Sequence, residues 1–255
     1  MNNKIEILSA PEKVDMADEW YEFVSLQHFW IKARFNAAKR DSLINSLSNV
    51  KLFEIGCGNG LIIRQFESLS GVTVDGCDLN MFALNQIEYT NGRLFCLNIF
   101  EKPEALINQY DGILLMDIIE HIPDDNEFLK VSTEYLKNGG LVIINVPALN
   151  FLYSKYDRLV GHKRRYTKKM IDDLFAQNQI EKVSIEYWGG GLLIIALVRK
   201  IIIPFISKSK IVQYGIASPN DKVNCLFDKI LKLENRIFRS SILGTSIIAV
   251  GKLRK

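Results

Sequence analysis

Short apolar segments alternate with longer stretches of mixed polarity along most of this chain. The apolar segments have the length of strands, and the stretches between the first five can hold crossover helices. Such alternation favours a doubly wound α/β sheet with parallel strands. The seven predicted strands are residues 51–55, 73–77, 93–97, 112–116, 140–146, 181–187 and 245–252.

Two regions lie outside this alternating pattern. Residues 15–47 are largely helical in pattern and rich in aromatic side chains, which predicts a helical lid. The last two strands are separated by more residues than an ordinary connection has, so we predict a long helical insertion there. The chain is then a single domain over residues 1–255, made of a lid (1–48), a core sheet (49–188), an insertion (189–243) and a last strand (244–255).

The insertion opens with an apolar run over residues 192–206, which Arg199 and Lys200 divide into two halves. A membrane span needs about twenty apolar residues, so neither half predicts a transmembrane helix. One interpretation is a buried helical cap over the substrate side of the sheet. The other is an interfacial segment, residues 192–210, that contacts the inner face of a membrane with help from a basic cluster of Arg199, Lys200, Lys208 and Lys210.

The amino-acid composition indicates a globular protein and little more. Hydrophobic residues make up 48% of the 255 residues and charged residues 24%, which are ordinary values. The formal net charge of +3 is too small to indicate nucleic-acid binding. The first residues lack the apolar core of a signal peptide, and the four cysteines show no Cys-x-x-Cys pairing. We therefore expect a cytoplasmic protein with reduced thiols.

The most informative motif is Phe53-Glu54-Ile55-Gly56-Cys57-Gly58-Asn59-Gly60, at the end of the first predicted strand. Because glycine adopts positive φ without steric cost, three glycines at alternate positions predict a sharp turn that a ligand can touch directly. A dinucleotide fingerprint places its third glycine one residue later. Glu54 would repel a pyrophosphate but would accept hydrogen bonds from an ammonium group. The motif therefore predicts a nucleoside bearing an amino acid as the ligand.

Asp78 ends the second predicted strand about twenty residues later, the spacing at which α/β folds place a carboxylate on a ribose. The alternative is that Asp78 caps the helical stretch beginning at Leu79. Together with the glycines it resembles the first two motifs of class I S-adenosylmethionine-dependent methyltransferases. Residues 110–122 and 136–147 resemble that family's fourth strand and its turn into the fifth.

The resemblance implies a Rossmann-like sheet of seven strands with an antiparallel last strand, and S-adenosylmethionine as cofactor, released as S-adenosylhomocysteine. The glycine turn would hold the methionyl portion, and residues after the next strands would hold the ribose and adenine. Arg34, on the helical lid, could meet the cofactor's carboxylate or could be a surface charge. The predicted cofactor residues are Arg34, Glu54, Gly56, Cys57, Gly58, Asn59, Gly60, Asp78, Leu79, Asn98, Ile99 and Met116.

An oxygen nucleophile needs a base, and His121 and His162 are the candidates at neutral pH. For His121 the alternative role is helix-start architecture. Asp117 and Glu120 share one face of a turn with His121 and could bind a divalent cation. Because no distant ligand completes this set, we predict no metal.

A narrower resemblance comes from residues 27–34, 156–167 and 244–246. They are similar to uncharacterised bacterial methyltransferases associated with surface-polysaccharide or lipid-linked glycan synthesis, which share a Gly-His-x-Arg-Arg-Tyr-Thr segment. This cation-rich loop suits an anionic substrate, with Arg165 and Tyr166 as predicted substrate-binding residues. A solvated basic turn is the alternative.

The sequence thus predicts a methyltransferase that methylates a hydroxyl of a small molecule, with a glycan or lipid-linked glycan precursor as the expected acceptor. The alternatives are a non-catalytic S-adenosylmethionine-binding protein and a protein or nucleic-acid methyltransferase. We expect no nucleic-acid partner, because Met116-Asp117-Ile118-Ile119 stands where methylation of base amino groups calls for an Asn-Pro-Pro-Tyr-type tetrapeptide. Acceptor identity, O- versus N- or C-methylation and oligomeric state stay open.

Overall fold

The computed structural model describes residues 4–12, 21, 24–205, 221–237 and 242–254. Within them lies one eight-stranded sheet with the strand order β1-β4-β3-β2-β5-β6-β8-β7. The strands are β1 (Ile5–Ile7), β2 (Lys51–Ile55), β3 (Thr73–Asp78), β4 (Leu94–Cys96), β5 (Tyr110–Met116), β6 (Leu136–Pro147), β7 (Ile180–Trp188) and β8 (Ser246–Leu253).

Strands β1 to β6 pair in parallel, so their carboxyl ends meet at one edge of the sheet. Strand β8 runs antiparallel to both of its neighbours, β6 and β7. The predicted α/β sheet with an antiparallel last strand is therefore confirmed. The order places β2 near the centre, and β2 carries Glu54 and leads into the glycine turn.

The predicted count of seven strands is wrong, because β1 adds an eighth. Its three residues pair in parallel with β4, from Ile5 opposite Leu94 to Ile7 opposite Cys96. An edge strand exposes unpaired backbone groups, and a short segment with two isoleucines is enough to cover them. All seven strands that the apolar pattern predicts are present.

Helices connect the strands, and the described part of the predicted lid includes α1 (Phe29–Ala38) and α2 (Ser42–Asn45). The pattern over residues 15–47 is interrupted by a turn at residues 39–41, and its first part lies outside the described residues. The helices are α1 (Phe29–Ala38), α2 (Ser42–Asn45), α3 (Leu61–Phe66), α4 (Met81–Leu84), α5 (Asp125–Glu134), α6 (Lys155–Leu159), α7 (Lys168–Gln177), α8 (Leu193–Ile202) and α9 (Asp221–Ile237).

The insertion between β7 and β8 contains α8 and α9. Helix α9 packs on α1, where the rings of Phe29 and Phe227 meet edge to face at 5.1 Å. The side chain of Asn224 on α9 accepts a hydrogen bond from the Phe29 backbone N–H at 2.9 Å and donates one to the Gln27 carbonyl at 3.2 Å. The insertion therefore holds the start of α1 in place.

Helix α8 contrasts with α9, because it has no buried residue. Leu193 and Ala196 pack partly buried against the core, but most of its apolar side chains are exposed, with Ile194 at 75% and Ile201 at 68%. No helix among the described residues is both long enough and apolar enough to cross a membrane. Lys208 and Lys210, which belong to the expected basic cluster, lie outside the described residues.

The core lies on both faces of the sheet, because alternate residues of a strand point to opposite faces. On β2, Phe53 and Ile55 join one apolar cluster and Leu52 joins the other. Phe53 stacks on Tyr110 with ring centroids 4.6 Å apart. Buried strands on both sides of β2 thus fix the position of the turn that follows it.

Candidate functional site

The glycine turn after β2 has the conformation that the sequence predicts. Gly56, Gly58 and Gly60 all have positive φ, at 76°, 51° and 72°. A Cβ atom added at Gly58 would lie 2.8 Å from Cε1 of Tyr21, and one at Gly56 would lie 2.7 Å from Cδ1 of Ile118. Both the backbone conformation and the close packing therefore require glycine at these positions.

Asp78, at the end of β3, turns back toward this loop. One carboxylate oxygen accepts a hydrogen bond from the Gly58 N–H and the other from the Asn80 N–H, both at 2.8 Å. The cap of α4 is Asn80, whose side chain accepts hydrogen bonds from the N–H groups of Phe82 and Ala83. The interpretation of Asp78 as the helix cap is therefore wrong. Burial raises the pKa of Asp78, and these backbone hydrogen bonds oppose that rise.

Glu54 is buried in the sheet with one oxygen left without a partner. Its side chain is 2% exposed, and among the described residues nothing hydrogen-bonds to Oε2. Burial raises its pKa well above the usual range, and the nearby Arg34 guanidinium lowers it. Buried polar atoms in native proteins almost always have partners. The free oxygen fits an ammonium donor, which is the group that the sequence assigned to Glu54.

Arg34 lies on the buried side of α1 and pairs with Asp117, the residue after β5. The alternative that Arg34 is a surface charge is wrong, because its side chain is only 9% exposed. Asp117 has a φ of 61°, unusual for a residue with a side chain. Its second oxygen accepts a hydrogen bond from Nδ2 of Asn145 at 2.6 Å. Arg34 therefore reaches the edge of the sheet where the other predicted residues lie.

Sequence reasoning missed Asn145 and Trp188 as supports of this edge. Asn145 is fully buried on β6, and its Oδ1 accepts a hydrogen bond from the indole N–H of Trp188 at 2.8 Å. Trp188 in turn packs against Trp30 of α1 with ring centroids 4.5 Å apart. A lone amide within an apolar strand was the available signal for Asn145.

The residues predicted to meet adenine lie at the ends of β3 and β4. Leu79 is half-buried and Ile99 is buried. The Asn98 side chain accepts a hydrogen bond from the Phe100 N–H at 3.1 Å, which caps a short 3₁₀ helix, Ile99–Glu101. Met116 is the last residue of β5 and directly precedes Asp117, and its side chain is buried. The carboxyl ends of β2 to β5 thus bring the predicted cofactor residues to one edge of the sheet.

A second group, which we term the histidine cluster, consists of Glu120, His121, His162 and Asp157. The two histidine rings meet edge to face with centroids 4.8 Å apart. Nδ1 of His162 lies 3.0 Å from Asp157 Oδ1, and Nε2 lies 3.9 Å from Glu120 Oε1. A hydrogen bond of 2.8 Å from the Lys163 N–H to the Glu120 carbonyl holds the two segments together. The two candidate histidines thus lie in contact with each other, which the sequence did not predict.

Burial controls protonation in the histidine cluster. It lowers the pKa of His121 to about 3, and the neighbouring His162 and Lys163 add to this. It raises the pKa of Glu120 well above the usual range, and the neighbouring Asp117 carboxylate adds to this. Burial also disfavours the ionised form of Asp157, yet hydrogen bonds from His162 and Arg165 hold its pKa at about 2. Because an ionised carboxylate only accepts hydrogen bonds, Nδ1 of His162 is the donor in its contact with Asp157.

Arg165 and Tyr166 support the loop from within. The Arg165 Nε donates to Asp157 at 2.7 Å, and its Nη1 donates to the Ala148 carbonyl at 3.2 Å. Tyr166 is fully buried, and its hydroxyl lies 2.7 Å from a carboxylate oxygen of Asp125. These contacts exclude a solvated basic turn for the two residues and give both a structural role. Their contact with a substrate stays a prediction.

Comparison with known proteins points to one class. Residues 53–142, which run from β2 into β6, match the family model of a methyltransferase domain. Phosphoethanolamine N-methyltransferase 2 of Haemonchus contortus, solved with S-adenosyl-L-methionine, shares the fold with a TM-score of 0.59 and 17% identity over 95% of this chain and 58% of its own. A S-adenosylmethionine-dependent methyltransferase of Archaeoglobus fulgidus has a TM-score of 0.51 and 16% identity over 80% of this chain and 86% of its own.

Among curated proteins, the chain is similar to a ubiquinone biosynthesis O-methyltransferase of Pelagibacter ubique, with 32% identity over 51% of this chain and 60% of that protein. A ubiquinone biosynthesis O-methyltransferase of a Bradyrhizobium species is 31% identical over 40% of this chain and 42% of its own length. The chain thus spans about half the length of these relatives. The chain thus shares the fold of solved methyltransferases and matches a methyltransferase domain over residues 53–142.

Proposed function

We propose that this protein is an S-adenosylmethionine-dependent methyltransferase that methylates a hydroxyl group of a small molecule and releases S-adenosylhomocysteine. The observation that carries the proposal is the unpartnered, buried oxygen of Glu54 beside three glycines with positive φ. A carboxylate at this position would repel the pyrophosphate of a dinucleotide. It would accept a hydrogen bond from the ammonium group of an amino acid, and the cofactor of this enzyme class carries such a group.

Each part of the cofactor has a partner in this arrangement. Glu54 accepts from the ammonium group, and the backbone from Gly56 to Gly60 borders the methionyl chain. Asp78 accepts from the ribose hydroxyls with the lone pairs that its backbone partners leave free. Leu79, Asn98, Ile99 and Met116 border the adenine. Arg34 would meet the carboxylate, in addition to or in place of its pairing with Asp117.

When bound, the cofactor supplies an activated methyl group, so the protein mainly aligns the acceptor and excludes water. The histidine cluster marks the acceptor end. There, Glu120, His121 and His162 are the groups that could take the proton of a hydroxyl or stabilise its negative charge. The names of the curated relatives favour a hydroxyl acceptor on a small molecule over a protein or nucleic acid.

A glycan or lipid-linked glycan acceptor is a finer proposal that rests only on the resemblance of residues 27–34, 156–167 and 244–246. The curated relatives lend it no support, because they are named for ubiquinone biosynthesis. An anionic acceptor would need cations that are not already paired, and Arg165 is held by Asp157. We therefore place a neutral or weakly anionic hydroxyl compound first. The expected cytoplasmic location also stays a prediction.

Peripheral membrane contact is a further part of this proposal, and the exposed apolar side chains of α8 support it. Arg199 and Lys200 turn toward the protein, where Arg199 stacks on the ring of Tyr156 at 3.8 Å and Lys200 donates to the Phe151 carbonyl. Binding should therefore depend on apolar contact more than on lipid charge. Ile194→Asn should reduce co-sedimentation with phosphatidylcholine vesicles, whereas the control Tyr89→Ser, at another exposed apolar side chain, should not.

The main test is calorimetric titration of S-adenosylmethionine into the wild type and an Asp78→Ala variant. We expect micromolar binding that the substitution abolishes. Asp173→Ala is the matched control, because Asp173 is an exposed acid on α7. Absence of binding to folded wild type, or equal binding of NAD, would reject the proposal.

A non-catalytic cofactor-binding protein is the alternative that this titration leaves open. Incubation of the wild type with labelled cofactor and a panel of phenols and other hydroxyl compounds separates the two. Transfer of label to any of them supports the enzyme, and transfer to protein or nucleic acid instead favours the other methyltransferase classes.

A further inference from the structure

Like Glu54, Glu120 is a buried carboxylate with an oxygen that nothing among the described residues hydrogen-bonds, and the cofactor site does not use it. Its side chain has no exposed surface, and neither Oε1 nor Oε2 has a partner among the described residues. Burying an unpaired polar or charged group costs free energy. Such a group in a native protein calls for a partner that binds from outside the chain.

Two histidines face this carboxylate. One ligand atom each from Glu120, His121 and His162 lie within 4.8 Å of one another. His121 belongs to the same 3₁₀ helix, Ile119–His121, as Glu120. His162 comes from the loop after β6, 42 positions further along the chain in sequence. It is the distant ligand whose absence led the sequence analysis to predict no metal.

His162 is also held as metal-binding histidines are held. Its Nδ1 is bonded to the Asp157 carboxylate, so that Nε2 is left to face Glu120. Metal-ligating histidines commonly donate their other ring N–H to a carboxylate, which fixes the tautomer and the ring orientation. Asp157 is itself anchored, because its second oxygen accepts from the Ser154 N–H at 2.8 Å.

We propose that Glu120, His121 and His162 bind a divalent transition-metal ion, with Asp157 orienting His162. Two imidazoles and one carboxylate suit Zn²⁺ better than Mg²⁺, which prefers oxygen ligands. Three protein ligands leave at least one position open, as in catalytic zinc sites. This inference rests on the proposed function. The open coordination position would bind the acceptor hydroxyl.

A cation there would do the work of a base. A hydroxyl oxygen bound to a divalent ion loses its proton more readily, as bound water does. The proton passes to solvent, and the oxygen then attacks the methyl carbon while the carbon–sulfur bond breaks. Without a metal, Glu120 or one of the two histidines would have to accept the proton itself.

The test measures metal binding by the full chain separately from methyl transfer. Protein treated with a chelator is titrated with Co²⁺, whose visible absorption reports its ligands, and then with Zn²⁺ by calorimetry. We expect one ion per chain and displacement of Co²⁺ by Zn²⁺. Glu120→Gln and His162→Gln should each weaken Zn²⁺ binding by about 100-fold or more, and Asp157→Asn by about 10- to 100-fold.

His28→Gln is the matched control. The chain has three histidines, and His28 lies outside the cluster, where its Nδ1 accepts a hydrogen bond from the Trp30 N–H at the start of α1. This variant should bind Zn²⁺ as the wild type does. Circular dichroism melting of each variant checks that it is folded, and Asp157→Asn serves if Glu120→Gln does not fold.

Equal Zn²⁺ affinity of the wild type and Glu120→Gln, or a Co²⁺ spectrum without a band from bound histidine, would overturn the metal site. Titration of S-adenosylmethionine into the same samples keeps the two proposals apart. Cofactor binding without metal binding rejects only the metal. Metal binding without cofactor binding rejects the proposed function, and with it the role of the metal in methyl transfer.

Discussion

Glu54 and Glu120 are two buried carboxylates that each keep an oxygen without a hydrogen bond from any part of the chain that the structure describes. They lie on either side of the site, one at the glycine turn and one in the histidine cluster. A folded protein loses stability by burying such groups, and strain of this kind concentrates at functional sites. We therefore interpret both as binding groups, one for an ammonium donor and one for a cation.

The Glu54→Gln variant should separate stability from binding. Because burial raises the folded-state pKa of Glu54, the wild type should match the variant in acid, near the unfolded pKa of about 4.3. The wild type should then lose stability relative to the variant as the pH rises through the raised pKa. We expect a difference of about 1–3 kcal/mol at pH 8, measured by urea unfolding from pH 5 to 8.

The same variant should bind S-adenosylmethionine about 10- to 100-fold more weakly, since it loses a charge-assisted hydrogen bond. Glu181→Gln, at an exposed position on β7, is the control and should change neither quantity. A variant that is less stable than the wild type at every pH would contradict our account of Glu54.

Gly58→Ala tests the glycine turn. An L-residue in the left-handed region costs about 1–2 kcal/mol, and the new methyl group would also meet the ring of Tyr21. Gly139→Ala is the matched control, because Gly139 has a φ of 76° but its added Cβ would only touch Lys252 at 3.4 Å. Both variants should lose stability, and only Gly58→Ala should lose cofactor affinity by calorimetry.

At the scale of residues, the sequence predicts chemistry where a motif is contiguous. The glycines, Glu54 and Asp78 are close enough in the sequence for their spacing to indicate a binding motif. The meeting of Glu120 with His162 was not predictable in this way. It depends on how the loop after β6 folds back onto the 3₁₀ helix after β5, which no local pattern records.

At the scale of elements, α9 supports α1 and, through it, Arg34. The apolar pattern predicted seven of the eight strands described, because a buried strand needs a continuous apolar segment. It missed β1, which lies at the edge of the sheet with its three residues partly exposed, whereas the equally short β4 is buried. The pattern also did not predict that the insertion contains a packed helix, α9, and an exposed helix, α8. This difference depends on the elements that lie next to each helix.

Asn224→Ala should loosen α1. The change removes the acceptor of the Phe29 N–H and the donor to the Gln27 carbonyl, at a local cost of about 1–3 kcal/mol. Hydrogen exchange should become faster in α1, and cofactor affinity should fall a few-fold because Arg34 is less well placed. Lys222→Ala, at an exposed position on the same helix, is the control. Unchanged exchange in α1 would show that α9 does not support it.

At the scale of the whole molecule, one sheet buries three of the four cysteines. Cys57, Cys77 and Cys96 are buried and Cys225 is exposed, and all four are free thiols. Burial also raises the pKa of Cys57 and Cys77, which makes the reactive thiolate rarer still. The thiols therefore report whether the fold is intact.

We expect one thiol to react rapidly with a disulfide reagent in the native protein and four in denaturant. In Cys225→Ser the rapid phase should disappear. The slow phase should become slower when S-adenosylmethionine is added, because a ligand that binds only the folded state stabilises it. Rapid reaction of two or more thiols in the native wild type would contradict the burial of the sheet.

The position of β8 between β6 and β7 has a consequence for synthesis on the ribosome. Residues 189–245 separate β7 from β8 in the chain, so β6 and β7 are both made well before the strand that joins them. Until residue 253 has left the exit tunnel, the nascent chain carries two open strand edges, which are sites for wrong pairing between chains. Production of this protein should therefore respond to slower translation and to chaperones that bind nascent chains.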